Sequence, residues 1–118
     1  MLIRHLALTV RDPSVSRDFY LQKIGLDGEA SDEPWGVRVK FADGFMFALI
    51  QGDPPPANTT GAVHFGCALP SRDDARDLRD RLRQAGVTEL EWEGEGDYTG
   101  VKVQDPDGYV VELAYDEA

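Results

Sequence analysis

One grammar is written twice along this chain. Ile3 to Val10 alternate in kind, with Leu6, Leu8 and Val10 on one face and His5, Ala7 and Thr9 on the other, which is the period of a half-buried strand. Asp12-Pro13 follows as an N-cap with proline at the first helical position; Val15, Phe19 and Ile24 then fall near a helical stripe, and Gly25 ends it. The second half repeats the order. Ala62 to Leu69 reads as a strand, Ser71 as an N-cap with Asp74 three residues on, and Ala75, Leu78, Leu82 and Ala85 as one apolar helical stripe closed by Gly86. After each helix come two short strand-like runs, Gly36 to Phe41 with Phe45 to Gln51, and Gly100 to Gln104 with Tyr109 to Tyr115. Asp43-Gly44 and Asp107-Gly108 are the turn signals that join each pair as a hairpin.

Matching the halves offsets His5 from His64 by 59 residues and Gly44 from Gly108 by 64, so the drift is small and falls in loops, as an internal duplication requires. The expected organisation is a single α+β domain of two modules, 1–51 and 62–118. Between them 52–61, GDPPPANTTG, serves as the linker, because three prolines flanked by glycines suit neither helix nor strand. At 118 residues the chain is long enough for a real core and too short for two independent domains of ordinary size.

Composition removes several function classes. A net charge of −10 opposes binding to phosphate backbones, so nucleic acid is an unfavoured partner. No apolar run approaches the roughly 20 residues of a membrane helix, and the opening MLIRHLALTV lacks a signal peptide's longer apolar stretch and cleavage site. The expected location is the cytoplasm, away from the membrane. The lone cysteine, Cys67, agrees with a reducing compartment.

The two histidines of the chain occupy the same place in the repeat, on the face opposite the large apolar residues. Glu112 stands inside the apolar run Tyr109 to Tyr115, where a carboxylate needs a partner. Two imidazoles and a carboxylate from separate strands form the ligand set of a facial-triad metal site, which leaves positions open for water or substrate. The expected metal ligands are therefore His5, His64 and Glu112, with Glu112 also the catalytic candidate. Structural roles for each of the three, taken singly, are the competing reading. The histidine faces carry small residues, Ala7, Thr9, Gly66 and Ala68, with Ala114 beside Glu112, so a sheet curling around them would enclose a cavity. Ala7, Trp35, Arg38, Phe45 and Tyr98 are the expected substrate-pocket residues.

His5 opening the first strand, the DPSVSRDFYLQKIGL helix, His64 opening the second unit and DPDGYVVEL near the end together resemble the vicinal oxygen chelate superfamily, which includes glyoxalase I, extradiol dioxygenases, fosfomycin-resistance enzymes and bleomycin-resistance proteins. The resemblance implies two βαβββ modules forming a cup-shaped mixed sheet with helices on its outer face, commonly in a homodimer. It also implies one divalent ion per site, Ni, Zn, Mn or Fe, chelated by vicinal oxygens of a small-molecule substrate, and His5, His64 and Glu112 match three ligand positions of the family. The implied activity is a glyoxalase-like metal-dependent lyase, isomerase or transferase. Glyoxalase I draws a fourth ligand from the last strand of the first unit, where Ala48 stands here, and the fosfomycin enzymes carry a catalytic threonine where this chain has Ala7. The resemblance thus points away from glyoxalase I isomerisation itself. Bleomycin-resistance proteins supply the alternative function: the same scaffold without metal, sequestering a cationic small molecule, which suits an acidic protein.

Overall fold

Alternating strand patterns, capped helices and glycine turns become two compact units, Met1–Pro55 and Pro56–Ala118, in the computed structural model, which describes residues 1–117. The end of the second expected module, Ala118, lies outside the described residues.

The first unit runs β1 (His5–Val10), α1 (Pro13–Asp18), a π-helical turn (Phe19–Ile24), β2 (Gly28–Glu33), β3 (Gly36–Phe41) and β4 (Met46–Gln51). Its sheet has the order β1-β4-β3-β2, with β1 parallel to β4 and the other pairs antiparallel. The second unit runs β5 (Phe65–Ala68), α2 (Arg72–Gln84), β6 (Glu89–Glu93), β7 (Tyr98–Gln104) and β8 (Val110–Asp116), in the order β5-β8-β7-β6 with the same parallel and antiparallel pattern. Both units are βαβββ modules. The strands form two mixed sheets of four, one in each module, as the expected α+β pairing of βαβββ units requires.

Helix caps follow the sequence. Asp12 accepts from the Ser14 backbone N–H at 3.0 Å and its hydroxyl at 2.7 Å, and these bonds hold the Asp12 carboxyl below its usual pKa. Ser71 accepts from the Asp74 N–H at 3.1 Å, and α2 buries Ala75, Leu78 and Leu82 against β7 and β8. The stripe ends there: Ala85 is exposed at the C-cap. In the first unit α1 packs on β3 and β4, and the stripe centres on Ser16, Phe19, Tyr20 and Ile24, leaving Val15 49% exposed against expectation. Small Ser16 allows close approach to the sheet, and the widened π turn carries both Phe19 and Tyr20 into the core. The Tyr20 ring meets Phe19 and Phe47 edge-on at 5.0 and 4.9 Å. Gly25, at φ 89°, ends the turn.

Sequence patterning misses β2 and β6. Both are edge strands, and GEASDE and ELEWE carry too few apolar residues to signal a strand, since an edge can stay polar. Strands β1 and β5 also start later than read: Ile3 is 87% exposed, and His64 lies one residue before β5 rather than inside it. The 52–61 stretch is divided between the units. Its later part is bound to the β7–β8 hairpin, with Asn58 N–H donating to the Gly108 carbonyl at 3.1 Å and the Gln104 amide donating to the Asn58 carbonyl at 2.7 Å.

Candidate functional site

Strand register decides which side chains share a face. In the second unit Gly66 stands opposite Glu112 across β5–β8, and Lys102 stands opposite Glu112 across β7–β8. With the two-residue period, Gly66, Ala68, Glu112, Ala114, Tyr98, Gly100 and Lys102 line one face, while Phe65, Cys67, Val111, Leu113, Val101 and Val103 line the other. That second face packs on α2, so the first is left for chemistry. Burial pushes the Cys67 thiol up to about 11, which keeps it protonated and inert.

His64 is held at both ring nitrogens. Nδ1 lies 2.8 Å from the Gly61 carbonyl, and Nε2 lies 2.9 Å from Glu112 Oε2, with the two side chains 30% and 20% exposed. A carbonyl accepts only, so Nδ1 carries a proton. Nε2 then faces a carboxylate in one of two satisfied states: doubly protonated imidazolium paired with Glu112, or neutral imidazole with its lone pair and the carboxylate turned to one cation. Two ligand atoms at about 2.1 Å from one ion and at right angles are about 3.0 Å apart, close to the observed separation. An imidazole whose outer nitrogen donates to a backbone carbonyl is also the usual supporting arrangement of a metal-binding histidine. The donor chemistry of this pair fits a divalent ion.

The other Glu112 oxygen, Oε1, accepts from the Tyr98 hydroxyl. Burial, then this bond to Glu112, raises the Tyr98 phenol above its ordinary range, so it stays a donor through neutral pH.

Of the three expected ligands, the structure brings together His64 and Glu112. His5 opens β1 on the first unit, exposed, on the face of Ala7 and Thr9, and among the described residues no three His, Cys, Asp or Glu side chains form one metal-holding group. The expected pocket residues are divided between the two units, Ala7, Trp35, Arg38 and Phe45 in the first and Tyr98 in the second. Ala7 pairs with Ala48 on the histidine face of the first unit, and Arg38 pairs with Ala48 from the other side, its guanidinium 5.7 Å from the centre of the Trp35 ring in the β2–β3 turn. Phe45 sits at the end of the β3–β4 hairpin beside Phe41, ring centres 6.2 Å apart. Phe41 shares parity with buried Val37 and Val39, so Phe45 belongs with the helix-facing side rather than with Arg38. Tyr98, read as pocket wall, lies on the Glu112 face and donates to its carboxylate. The residues that sequence reasoning missed are Gly61, whose carbonyl orients His64, and Gly100 and Lys102 on the Glu112 face. A backbone carbonyl leaves no trace in sequence, whereas Gly100 matches Gly36 at the hairpin offset of 64 and was open to notice.

Turn geometry explains the DPDG motif. Asp105 Oδ1 accepts from the N–H groups of Asp107 and Tyr109, both at 2.9 Å, which sets the start of β8 and hence the register of Glu112.

A model of the Glyoxalase/Bleomycin resistance protein/Dioxygenase superfamily matches residues 2–113. The chain belongs to that superfamily. Among solved structures, a possible glyoxalase from Bacillus cereus superposes with a TM-score of 0.78 at 23% identity, covering 96% of this chain and 97% of its own. The fosfomycin resistance protein FosX from Listeria monocytogenes gives 0.78 at 18% identity, covering 98% and 93%. A lactoylglutathione lyase from Agrobacterium tumefaciens gives 0.73 at 21% identity, covering 98% and 94%. At these identities the likeness is one of fold. No curated protein matches the chain. Among the described residues no helix is long and apolar enough to cross a membrane.

Proposed function

We propose that this chain is a divalent-metal-dependent enzyme of the superfamily, acting on a small substrate that presents adjacent oxygens, with His64 and Glu112 as two ligands and His5, from this chain or a second copy, as the third. The observation that carries the reading is the His64 Nε2 to Glu112 Oε2 approach of 2.9 Å, with the opposite ring nitrogen already committed to a carbonyl. Ni, Zn, Mn and Fe(II) all suit this donor set. When bound, the ion supplies Lewis acidity, polarising a substrate carbonyl or stabilising an oxyanion. The protein's own groups do the rest. Gly61 fixes the imidazole tautomer, the Tyr98 hydroxyl holds one carboxylate oxygen, and Gly66 and Ala68 keep the face beside Glu112 free of bulk. Ala48, at the place in the first unit that Glu112 holds in the second, offers no second carboxylate to act as base, so glyoxalase I isomerisation is not the proposed reaction. A cytoplasmic homodimer is the proposed working form, checked by light scattering.

The test is metal analysis of untagged protein prepared without chelator, then reloaded with each ion. Stoichiometric binding that His64→Ala and Glu112→Ala abolish supports the reading; occupancy far below stoichiometric with every ion defeats it.

A second reading, a metal-free small-molecule binder of the bleomycin-resistance type, is favoured by the same pair in its other state, because imidazolium and carboxylate satisfy each other without an ion. The net charge of −10 suits a cationic ligand. Quenching of Trp35 and Trp92 fluorescence by cationic aromatic compounds, unchanged by EDTA, would select this reading.

A further inference from the structure

We propose that Tyr98 is the positioning residue of the Glu112 carboxylate, and that Gly100 is the gap across which its ring lies to do so. The inference rests on the metal reading above and assigns a role within that site.

Cross-strand adjacency does not account for the Tyr98–Glu112 contact. The direct partner of Glu112 on β7 is Lys102, and Tyr98 pairs with Asp116, four residues along the strand, or about 13 Å at the ordinary rise. A tyrosine standing upright from the sheet would meet Asp116 and Ala114. The ring instead lies down along β7 over Gly100. A Cβ built on Gly100 would stand 3.0 Å from both Tyr98 Cε1 and the hydroxyl oxygen, and 2.9 Å from the Ala114 Cβ. Gly100 and Ala114 are register partners, so the floor under the ring consists of the two smallest side chains available. Lys102, the nearer cation, is turned away to Glu91, with Nζ 3.3 Å from its carboxylate. The carboxylate thus takes its neutral donor from a distant tyrosine, while the adjacent ammonium is paired elsewhere.

The consequence is a division of labour between the two oxygens. Oε1 is held by the phenol, and Oε2 is presented to His64 Nε2. A glutamate has several rotatable bonds, and fixing them before a ligand arrives lowers the entropy lost on binding. Partners of metal-ligating groups, when removed, typically cost about 10–100-fold in metal affinity.

The test uses the full chain with Co(II) as probe, read by calorimetry and by the visible ligand-field spectrum. Tyr98→Phe should weaken Co(II) binding by about 10–100-fold and alter band positions or intensities, while the thermal midpoint of the metal-free protein stays close to wild type. Gly100→Ala keeps the phenol but lifts the ring, and should move affinity and spectrum in the same direction. Wild-type affinity and spectrum in Tyr98→Phe, in a protein that binds Co(II), would overturn the positioning role and leave the metal reading intact. Failure of wild type itself to bind Co(II), Ni, Zn, Mn or Fe(II) would remove both. If Tyr98→Phe does not fold, Gly100→Ala decides: an unchanged spectrum and affinity there count against the proposal.

Discussion

The two modules share a blueprint down to strand register, and they differ in what the blueprint carries. Ala7 faces Ala48 in the first and Gly66 faces Glu112 in the second; Arg38 and Lys102 are the matching neighbours on the third strand of each sheet pairing. The hairpins close with the same bonds. Phe41 N–H donates to the Phe45 carbonyl at 3.0 Å, and Asp105 N–H donates to the Tyr109 carbonyl at 2.8 Å, with Gly44 and Gly108 both at φ 89°. A duplicated scaffold therefore guarantees equivalent positions without equivalent chemistry. One position, acidic in the second module and methyl in the first, sets the two faces apart in charge.

The helices diverge as well. The first module relies on Tyr20 carried inward by a π turn, the second on a regular 13-residue helix clamped at its side. That clamp depends on a bulge in β6. The register shifts between Glu89 and Glu91, which brings Glu89 to the same face as Trp92, three residues later, where a regular strand would oppose them. Arg79 of α2 then makes a bidentate pair with Glu89, at 2.7 and 3.0 Å, and lies 4.4 Å from the centre of the Trp92 ring.

Four measurements would break or sharpen this comparison. The largest expected effect is Tyr20→Ala, which should cost about 3–5 kcal/mol in denaturant unfolding, against about 2–5 kcal/mol for Leu82→Ala in the second module; near-equal small losses would show that neither helix is a principal packing element. Ala48→Glu writes the second module's carboxylate into the first. Ala48 is 6% exposed, with Arg38 opposite it and His5 on the same face two residues before its β1 partner Ala7, so burying a carboxylate there should still cost about 2–4 kcal/mol; a stable variant with a second bound ion would mean that the two faces are chemically interchangeable. Arg79→Ala should cost about 1–2 kcal/mol, since the pair is only partly buried. Its pH signature has a sign. The Arg79 hydrogen bonds hold the Glu89 carboxyl below the ordinary carboxylate range, so the stabilisation is present above the unfolded-state value and is lost as pH falls through the folded one. The variant should therefore differ most from wild type at neutral pH and converge with it in acid. The smallest effect on the fold is read by thiol labelling. With Cys67 raised to about 11 from an ordinary 9.0, its thiolate fraction at pH 8 falls about a hundredfold, and labelling of folded protein should slow accordingly. For an acid raised in this way, the contribution to stability is full below the unfolded value near 9 and declines as pH rises towards 11. Labelling at the rate of the unfolded chain would place Cys67 on the open face.

Much of this was legible from residues alone, because periodicity and caps are local. Alternation places Leu8 and Val10 inward and His5 outward, Asp12 and Ser71 start the helices, and the paired Asp-Gly turns announce the hairpins. Two imidazoles at matched positions and one carboxylate in an apolar strand mark out a candidate metal set by composition and spacing. Edge strands β2 and β6 escape such reading because nothing apolar has to be hidden there. Register and reach belong to the folded chain. That Oε2 of Glu112 meets His64 depends on the β5–β8 pairing, that Tyr98 crosses Gly100 to hold the other oxygen depends on the β7–β8 register, and the tautomer of His64 is chosen by the backbone carbonyl of Gly61, which no side-chain pattern reports. Such contacts are set by how ladders align and where a missing side chain leaves room, and no local pattern encodes either.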